Sequence, residues 1–191
     1  MNGRFILIIG PSGVGKSAIL RHLRSAHPDY VFPKSATTRP PREGEGSDLY
    51  HFISDAEFTQ WLHEGKFLEW AQVHHGARYG TLMDEIVPAI EAGKIVIREV
   101  DVQGFLAMKQ HPLFVKGGRY PLKTIFILPE NEEQLVRQIT KRAPISEEEL
   151  DRRLQSVRRE LACAPETDVQ IVNHDGALDA TIARVEEEIE G

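Results

Sequence analysis

The sequence predicts an α/β fold built on a mainly parallel sheet, and two observations support this prediction. Apolar runs of strand length recur along the 191 residues and alternate with segments of helical periodicity. Such alternation is typical of parallel sheets covered by helices. Several helix starts also carry their own signal, a polar residue followed three positions later by Glu or Gln. The apolar runs lie at 5–9, 30–33, 67–73, 95–100, 122–128 and 169–172.

The helix signals place particular boundaries along the chain. The polar residues and their partners are Ser54 with Glu57, Asn131 with Gln134, and Ser146 with Glu149. Gly93 is expected to end a helix over about 83–92, because glycine adopts the left-handed C-terminal conformation without strain. The helix that follows Ser146 is predicted to be amphipathic. Its apolar stripe consists of Leu150, Leu154, Val157 and Leu161.

The most informative segment is 10–17, which has the pattern G-x-x-x-x-G-K-S of phosphate-binding loops. It follows the apolar run at 5–9 and precedes a helix-forming segment. Its glycines allow several backbone N–H groups to point at one anion, and the positive end of the following helix faces the same place. We expect Lys16 to reach the β- and γ-phosphates of a nucleotide and Ser17 to bind Mg²⁺. The predicted nucleotide-binding residues are Gly10, Pro11, Ser12, Gly13, Val14, Gly15, Lys16 and Ser17.

Composition limits the other classes of function. The formal net charge of −6 argues against nucleic acid and an anionic membrane surface as partners, and no apolar run reaches the length of a membrane span. The single cysteine, Cys163, excludes an internal disulfide and fits a reducing cytoplasm. The histidines form no H-x-x-x-H or Cys/His cluster, so no protein-borne zinc site is expected. We therefore expect a cytoplasmic protein that acts on small molecules.

An irregular segment at 37–46 breaks the alternation, because its prolines and glycines exclude a long helix and a central strand. It carries two arginines, Arg39 and Arg42. The order and spacing of this and further segments match a known family. The segments are 35–45, 50–52, 67–71, 78–81, 99–104 and 171–175. With the phosphate loop the match runs from about residue 4 to residue 185, and the chain resembles guanylate kinase, the nucleoside-monophosphate kinase that phosphorylates GMP.

The resemblance implies which residues hold the phosphate of GMP. In the family the S-x-T-T-R-x-P-R segment does so, which here means Ser35, Arg39 and Arg42. Tyr50 and Tyr79 complete the cradle. The chemistry is suitable, because two guanidinium groups can clamp a dianion and tyrosine hydroxyls add donors without charge. The alternative, that the arginines only stiffen a proline-rich loop, is the weaker interpretation in an acidic protein.

The resemblance also implies which residues bind the bases. Glu69 corresponds to the carboxylate that accepts hydrogen bonds from the N1–H and 2-amino groups of guanine, with Thr81 and Asp101 nearby. Without the resemblance, Glu69 would be an ordinary acid at a strand edge. Asp101 has an alternative role, because it follows an apolar strand and could orient a water of the Mg²⁺ shell. Asn173 matches the position that lies against the adenine of ATP.

A lid is implied by the family pattern L-x-x-R-L-x-x-R-G, whose arginines reach the transferring phosphoryl group. Here Gln138 occupies the first arginine position, whereas Arg142 and Arg153 stay in place as expected catalytic residues. Arg137 or Lys141 could replace the first arginine, although they leave the helix at different angles. The lid is therefore expected to work mainly through Arg142 and Arg153.

The expected architecture is a P-loop three-layer α/β fold with a small GMP-binding subdomain and a helical lid. The resemblance assigns 1–34, 83–136 and 154–191 to the core, 35–82 to the GMP-binding subdomain and 137–153 to the lid. The implied reaction is transfer of the γ-phosphoryl group of ATP to GMP, with Mg²⁺ as the cofactor.

Three other functions are compatible with parts of the sequence. Segment 101–104 is a D-x-x-G as in GTPases, but the N-K-x-D motif of guanine recognition does not occur in the chain. A ribose bisphosphate kinase of phosphonate metabolism would share the phosphate loop without needing the arginine clamp together with Glu69 and Tyr79. A catalytically silent guanylate-kinase-like binding module typically has a damaged phosphate loop, whereas this loop is intact. Phosphorylation of GMP is therefore the predicted function.

Overall fold

The computed structural model describes residues 3–43, 45–72, 76–142 and 145–191, with the side chain of Arg142 left out. The strands are β1 (Arg4–Ile9), β2 (Ser35–Thr37), β3 (Tyr50–Phe52), β4 (Phe67–Gln72), β5 (Arg78–Leu82), β6 (Ile95–Glu99), β7 (Leu122–Pro129) and β8 (Val169–Asn173). The helices are α1 (Lys16–Ala26), α2 (Asp55–His63), α3 (Met83–Glu91), α4 (Val102–Gln110), α5 (Glu132–Arg142), α6 (Glu147–Leu161) and α7 (Leu178–Glu190).

The strands form two sheets. The first has the order β6-β1-β7-β8 and the second the order β3-β2-β5-β4. Strands β7 and β8 run parallel, with Ile125 opposite Val169 and Pro129 opposite Asn173. The predicted α/β fold with a mainly parallel sheet is confirmed.

Strand β1 explains how the first sheet supports the phosphate loop. Its residues 5–9 are fully buried, as the uninterrupted apolar run predicts for a strand covered on both faces. The N–H of Val100 donates to the carbonyl of Ile8 at 3.3 Å, so the end of β6 lies beside β1. The chain leaves this rigid strand directly into the loop at Gly10.

The chain divides into two compact units. The first consists of Met1–Phe5, Asp29–Arg98 and Gln103–Leu122. The second consists of Ile6–Pro28, Glu99–Val102 and Lys123–Gly191. The phosphate loop therefore belongs to the second unit. The residues that the sequence predicts for GMP belong to the first unit, except Asp101.

The second sheet buries one face against α2. Ala36, Phe58 and Leu82 form a buried cluster there, against which Trp61 and Phe67 pack. The rings of Phe58 and Phe67 stack with their centroids 4.5 Å apart. This packing leaves the opposite face of the sheet for polar side chains.

The predicted helix starts are confirmed. The Ser54 hydroxyl accepts from the N–H of Glu57 at 3.1 Å, and the side-chain oxygen Oδ1 of Asn131 accepts from the N–H of Gln134 at 2.9 Å. The Ser146 hydroxyl accepts from the N–H of Glu149 at 3.2 Å in the same way. None of the described helices is long and apolar enough to cross a membrane.

Two differences from the predicted elements have local causes. In the run at 30–33, Val31 forms an isolated parallel bridge with Val96 in place of a strand, and Pro33 has no N–H with which to extend a ladder. Strands β2, β3 and β5 were not predicted. They have three, three and five residues, too few for periodicity to distinguish a strand from a loop.

Candidate functional site

The phosphate loop is built by its backbone. Gly10 has φ +147° and Gly15 has φ +101°, conformations that L side chains rarely adopt. A Cβ at Gly10 would lie 2.5 Å from the carbonyl oxygen of Ile127. Helix α1 begins directly afterwards and has no acidic residue in its first turn. Its partial positive charge is therefore not neutralised locally and favours an anion in the loop.

Lys16 is held inside the loop. Its side chain is 9% exposed, and its Nζ donates to the carbonyl of Gly10 at 2.6 Å and to that of Pro11 at 3.0 Å. Oε1 of Glu99 lies 3.4 Å from the same nitrogen. Carbonyl acceptors are weaker partners for an ammonium group than ionised oxygens. Phosphate oxygens can therefore replace them with little rearrangement of the lysine.

The second unit contains two further acids of interest, Asp101 and Glu160. Asp101 is exposed on the connection between β6 and α4. Glu160 lies on α6, and burial raises the pKa of its carboxyl group, with repulsion from Asp101 acting in the same direction. A hydrogen bond from Ser156 and the charge of Lys16 lower that pKa and partly oppose the effect. Among the described residues, no group of three potential ligands is arranged to hold a metal ion.

Asn173 connects the loop to the end of β8. Its side-chain N–H donates to the carbonyl of Val14 at 2.9 Å, and its side-chain oxygen accepts from the hydroxyl of Thr181 at 2.8 Å. The side-chain N–H of Gln134 donates to the backbone carbonyl of Asn173 at 2.9 Å. Asn173 is 9% exposed. Its amide therefore has a structural task, which is to hold the loop backbone.

Helix α5 passes close to the phosphate loop at Gln138. A Cβ built on Gly13 would lie 3.3 Å from the Cβ of Gln138. The neighbouring Arg137 pairs instead with Asp175 at 2.8 Å, and its side chain is 54% exposed. The Cβ of Gln138 therefore lies beside the loop, whereas Arg137 is directed toward the chain after β8.

Arg153, which the sequence predicts to act from a lid, pairs within its own helix. Nε of Arg153 donates to Oε1 of Glu149 one turn earlier on α6 at 3.0 Å, and the arginine side chain is half exposed. Exposed pairs of this kind contribute little to stability, so the guanidinium can leave Glu149 at small cost. The side chain of Arg142 lies outside the described residues.

The first unit aligns polar side chains across the second sheet. Ser35 on β2 is opposite Tyr50 on β3 and opposite Thr81 on β5. Thr81 is in turn opposite Glu69 on β4. Residues that are directly opposite each other in a sheet point to the same face. Tyr50, Ser35, Thr81 and Glu69 therefore form one row across the four strands.

The carboxylate of Glu69 is oriented by its neighbour in this row. The hydroxyl of Thr81 donates to Oε1 of Glu69. Thr81 is fully buried and Glu69 is partly buried. The carboxylate is thus held against the sheet.

Arg39 and Tyr79 lie beside the row, next to its member Tyr50. Nε of Arg39 donates to the hydroxyl of Tyr79 at 3.0 Å, and its guanidinium lies over the ring of Tyr50, 5.1 Å from the centroid. Nη1 and Nη2 of Arg39 donate to the two carboxylate oxygens of Glu45 at 2.6 and 2.7 Å. The backbone N–H of Arg42 donates to Oε2 of Glu45 at 2.8 Å. Arg42 itself is exposed.

Glu45 contacts two residues predicted to bind the phosphate, Arg39 and Arg42, and sequence reasoning missed this contact. Hydrogen bonds from Arg39 and from the backbone of Arg42 lower the pKa of its carboxyl group to about 2. Its carboxylate presents two oxygens to Arg39, which is also how a phosphate group would bind this guanidinium. The sequence offered no signal for this pairing, because an acid in a glycine-rich loop is usually a solvated residue. Glu99 at the end of β6 and Glu160 on α6 were also missed, because single acids at such positions are usually exposed to solvent.

Comparisons with known proteins agree on one family. A family model described as guanylate kinase matches residues 2–191. The chain is 43% identical over 175 residues to a guanylate kinase of Thermosynechococcus vestitus, covering 91% of this chain and 87% of that protein. It is 40% identical over 179 residues to a guanylate kinase of Helicobacter pylori (strain J99), covering 92% of this chain and 82% of that protein.

The fold has a similar solved structure. The crystal structure of guanylate kinase from Anaplasma phagocytophilum superposes with a TM-score of 0.72 and covers 98% of this chain and 85% of that chain. Its sequence identity is 24%, so this similarity is one of fold alone.

Proposed function

The chain belongs to the guanylate kinase family, and from this premise we propose that it transfers the γ-phosphoryl group of MgATP to GMP, giving ADP and GDP. One observation carries the proposal. The same chain holds a phosphate loop with its lysine turned inward and a sheet face on which Tyr50, Ser35, Thr81 and Glu69 are in register. The relatives reported above all have the name guanylate kinase, and none supports the rival functions.

On the ATP side, the loop 10–17 is proposed to bind the phosphates through its backbone N–H groups and the start of α1. Lys16 would exchange the carbonyls of Gly10 and Pro11 for β- and γ-phosphate oxygens. Its charge would then stabilise the negative charge that develops during transfer. The amide of Asn173 would hold the loop in shape for ATP, because it donates to the carbonyl of Val14. Adenine would contact the small part of Asn173 that is exposed.

The residues available fit Mg²⁺. Ser17 is exposed in the first turn of α1, and Glu99 and Asp101 lie at and just after the end of β6. Mg²⁺ keeps several waters and commonly takes one or two protein groups in addition to substrate phosphates, so a site without three clustered ligands is suitable. We propose that Ser17 binds the ion and that Asp101 orients one of its waters. When bound, Mg²⁺ neutralises charge on the β- and γ-phosphates.

On the GMP side, Ser35, Arg39, Arg42, Tyr50 and Tyr79 are proposed to bind the phosphate. The pairing of Arg39 with Tyr79 and its position over Tyr50 support a clamp that is already oriented. Arg42 is exposed, and its guanidinium could turn toward the phosphate. Hydrogen bonds between guanidinium groups and phosphate are charge-assisted and are stronger than neutral ones.

Glu69 is proposed to bind guanine through its N1–H and 2-amino groups. The hydroxyl of Thr81 donates to Oε1 and so orients the carboxylate, whose two oxygens act as acceptors. Adenine lacks this pair of adjacent donors, so it would approach the carboxylate without forming either hydrogen bond. Selection of GMP over AMP would follow from that penalty.

The chemical step requires an in-line approach of a GMP phosphate oxygen to the γ-phosphorus. Both reactants are negatively charged, so positioning and charge neutralisation account for most of the rate enhancement. Arg142 and Arg153 are the candidates to contact the transferring group from the lid. Arg153 would have to leave Glu149, a step that the exposure of this pair makes inexpensive.

The proposal is tested by measuring ADP release in a coupled assay with ATP and each of three acceptors, GMP, AMP and ribose bisphosphate. We expect release that requires GMP, and chromatography should identify GDP as the second product. Release without any acceptor would indicate an ATPase, and release with ribose bisphosphate alone would indicate the rival kinase. Either result would overturn the proposed function.

A further inference from the structure

Arg98 is a charged residue in an otherwise apolar part of β6. The strand begins Ile95, Val96, Ile97, and the last two of these are buried. Arg98 is half-buried, and its Nε is buried. A cation in such a strand costs free energy unless hydrogen bonds compensate it. Its Nη2 donates to the hydroxyl of Ser35 at 2.8 Å, and both residues belong to the first unit.

This bond is not needed to hold the backbone of β2. Ser35 pairs in the sheet with Tyr50 on one side and Thr81 on the other, and its N–H donates to the carbonyl of Leu49 at 3.0 Å. The chain before β2 is separately attached to β6, because the N–H of Val31 donates to Ile95 at 2.9 Å. What Arg98 determines is therefore the orientation of the Ser35 hydroxyl and not the path of the strand.

The direction of the bond has a chemical consequence. A serine hydroxyl has one proton to donate and two lone pairs to accept, whereas a guanidinium group only donates. Arg98 therefore occupies a lone pair of Ser35, and the hydroxyl proton is directed to another acceptor. A cationic donor also polarises the hydroxyl, which makes it a stronger donor in turn. An anion is the acceptor that gains most from this arrangement.

We propose that Arg98 is a positioning residue for the phosphate of the acceptor nucleotide and acts through the hydroxyl of Ser35. This inference rests on the proposed function, because it takes GMP as the molecule that binds beside Ser35. The positive charge of Arg98 adds to that of Arg39. The charge of Arg39 is itself largely compensated by Glu45.

The test is a double-mutant cycle of Arg98→Met and Ser35→Ala with steady-state kinetics. We expect Arg98→Met to raise KM for GMP by about 5- to 20-fold and to change KM for ATP by less than about twofold. In the Ser35→Ala background the same substitution should change KM for GMP by less than about twofold, because the group through which it acts is missing. Arg98→Lys, which keeps a charged donor, should restore part of the loss.

Equilibrium binding separates positioning from general damage. GMP and guanosine differ only in the phosphate. Arg98→Met should therefore raise the Kd of GMP and leave the Kd of guanosine unchanged. The control is Arg119→Met, since Arg119 is an exposed arginine of the same unit that pairs with Glu91; it should change neither Kd. Thermal unfolding of each variant identifies one that fails to fold, and Arg98→Gln then takes its place.

Three results would overturn the inference. They are an unchanged KM for GMP, an equal loss for guanosine and GMP, or an undiminished effect of Arg98→Met in the Ser35→Ala background. A wild-type chain that does not phosphorylate GMP would contradict the proposed function itself. That result is distinguishable, because it is obtained before any variant is made.

Discussion

The two proposed anion sites of this chain are built in different ways. In the second unit, eight consecutive residues and a helix start form the phosphate loop, and the donors are mainly backbone N–H groups. In the first unit, the row Tyr50, Ser35, Thr81 and Glu69 comes from four strands, and the donors and acceptors are side chains. A site made by the backbone depends on local conformation, whereas a site made by side chains depends on sheet register.

The cations of the two sites also have different partners. Lys16 is held by neutral carbonyls and a single acid at 3.4 Å. Arg39 is held by both oxygens of Glu45 and by Tyr79. The lysine is therefore ready to exchange partners, whereas the arginine is kept in a fixed orientation. The comparison predicts that substitutions in each region will affect one nucleotide and leave the other largely unchanged.

Lys16→Ala should have the largest effect. It removes the charge that stabilises the transferring phosphoryl group, so we expect kcat to fall by about 10²- to 10³-fold. The Kd of GMP should stay within about twofold of wild type, because the first unit is not altered. Steady-state kinetics and GMP titration measure the two quantities, and Lys116→Ala, at an exposed lysine, is the control. A folded variant with near wild-type turnover would contradict the role of the loop.

Glu69→Gln should have the next largest effect and act on the other nucleotide. A hydrogen bond to a charged acceptor contributes roughly 1.5 to 3 kcal/mol, so kcat/KM for GMP should fall by about 10- to 150-fold. Activity with AMP should change much less, and the GMP/AMP ratio should fall. Glu57→Gln, an exposed carboxylate on α2, controls for the lost charge. Equal losses for both nucleotides would exclude Glu69 as the group that recognises guanine.

Asn173→Ala tests whether the hydrogen bonds of this side chain shape the phosphate loop for ATP in addition to stabilising the fold. It leaves the carbonyl of Val14 and the hydroxyl of Thr181 without their buried partner, which costs about 1 to 3 kcal/mol in the free energy of unfolding. We expect KM for ATP to rise several-fold and the Kd of GMP to stay unchanged. Denaturant unfolding and steady-state kinetics provide the two measurements.

Asn131→Ala is the matched control for that experiment. It removes the helix cap of α5 at a cost of about 1 kcal/mol without touching Val14. If Asn131→Ala raised KM for ATP as much as Asn173→Ala does, general destabilisation would explain both effects and the loop would not depend on Asn173.

Glu45→Gln should have the smallest effect, and one that depends on pH. The pKa of Glu45 is about 2 in the folded chain, below its ordinary value of 4.5, so the folded state binds fewer protons than the unfolded state between these values. The carboxylate therefore stabilises the folded chain above pH 4.5, and the stabilisation is lost as the pH falls toward 2. The Tm difference between wild type and variant should be largest at pH 6 to 8 and should shrink between pH 5 and 3. A difference that is constant over this range would mean that the Arg39 pair does not contribute.

The sequence alone predicted the elements that are specified by residues close together in the chain. The run at 5–9 became the buried strand β1, and the capping signals at Ser54, Asn131 and Ser146 began helices as expected. The phosphate loop could be identified because its chemistry lies in consecutive residues. Its pattern combines backbone freedom at glycine, an inward lysine and a helix start, and each of these follows from neighbouring positions.

Only the tertiary structure decided which distant side chains meet. The register of β2 to β5 places Ser35 between Tyr50 and Thr81, and no periodicity in three-residue strands encodes that register. The same is true of Arg98 on Ser35, Glu45 on Arg39 and Asn173 on Val14. Each of these contacts joins residues whose types are ordinary where they stand in the chain. The physical reason is that a hydrogen bond between side chains depends on distances of a few ångströms, which packing of the whole unit sets and local sequence does not.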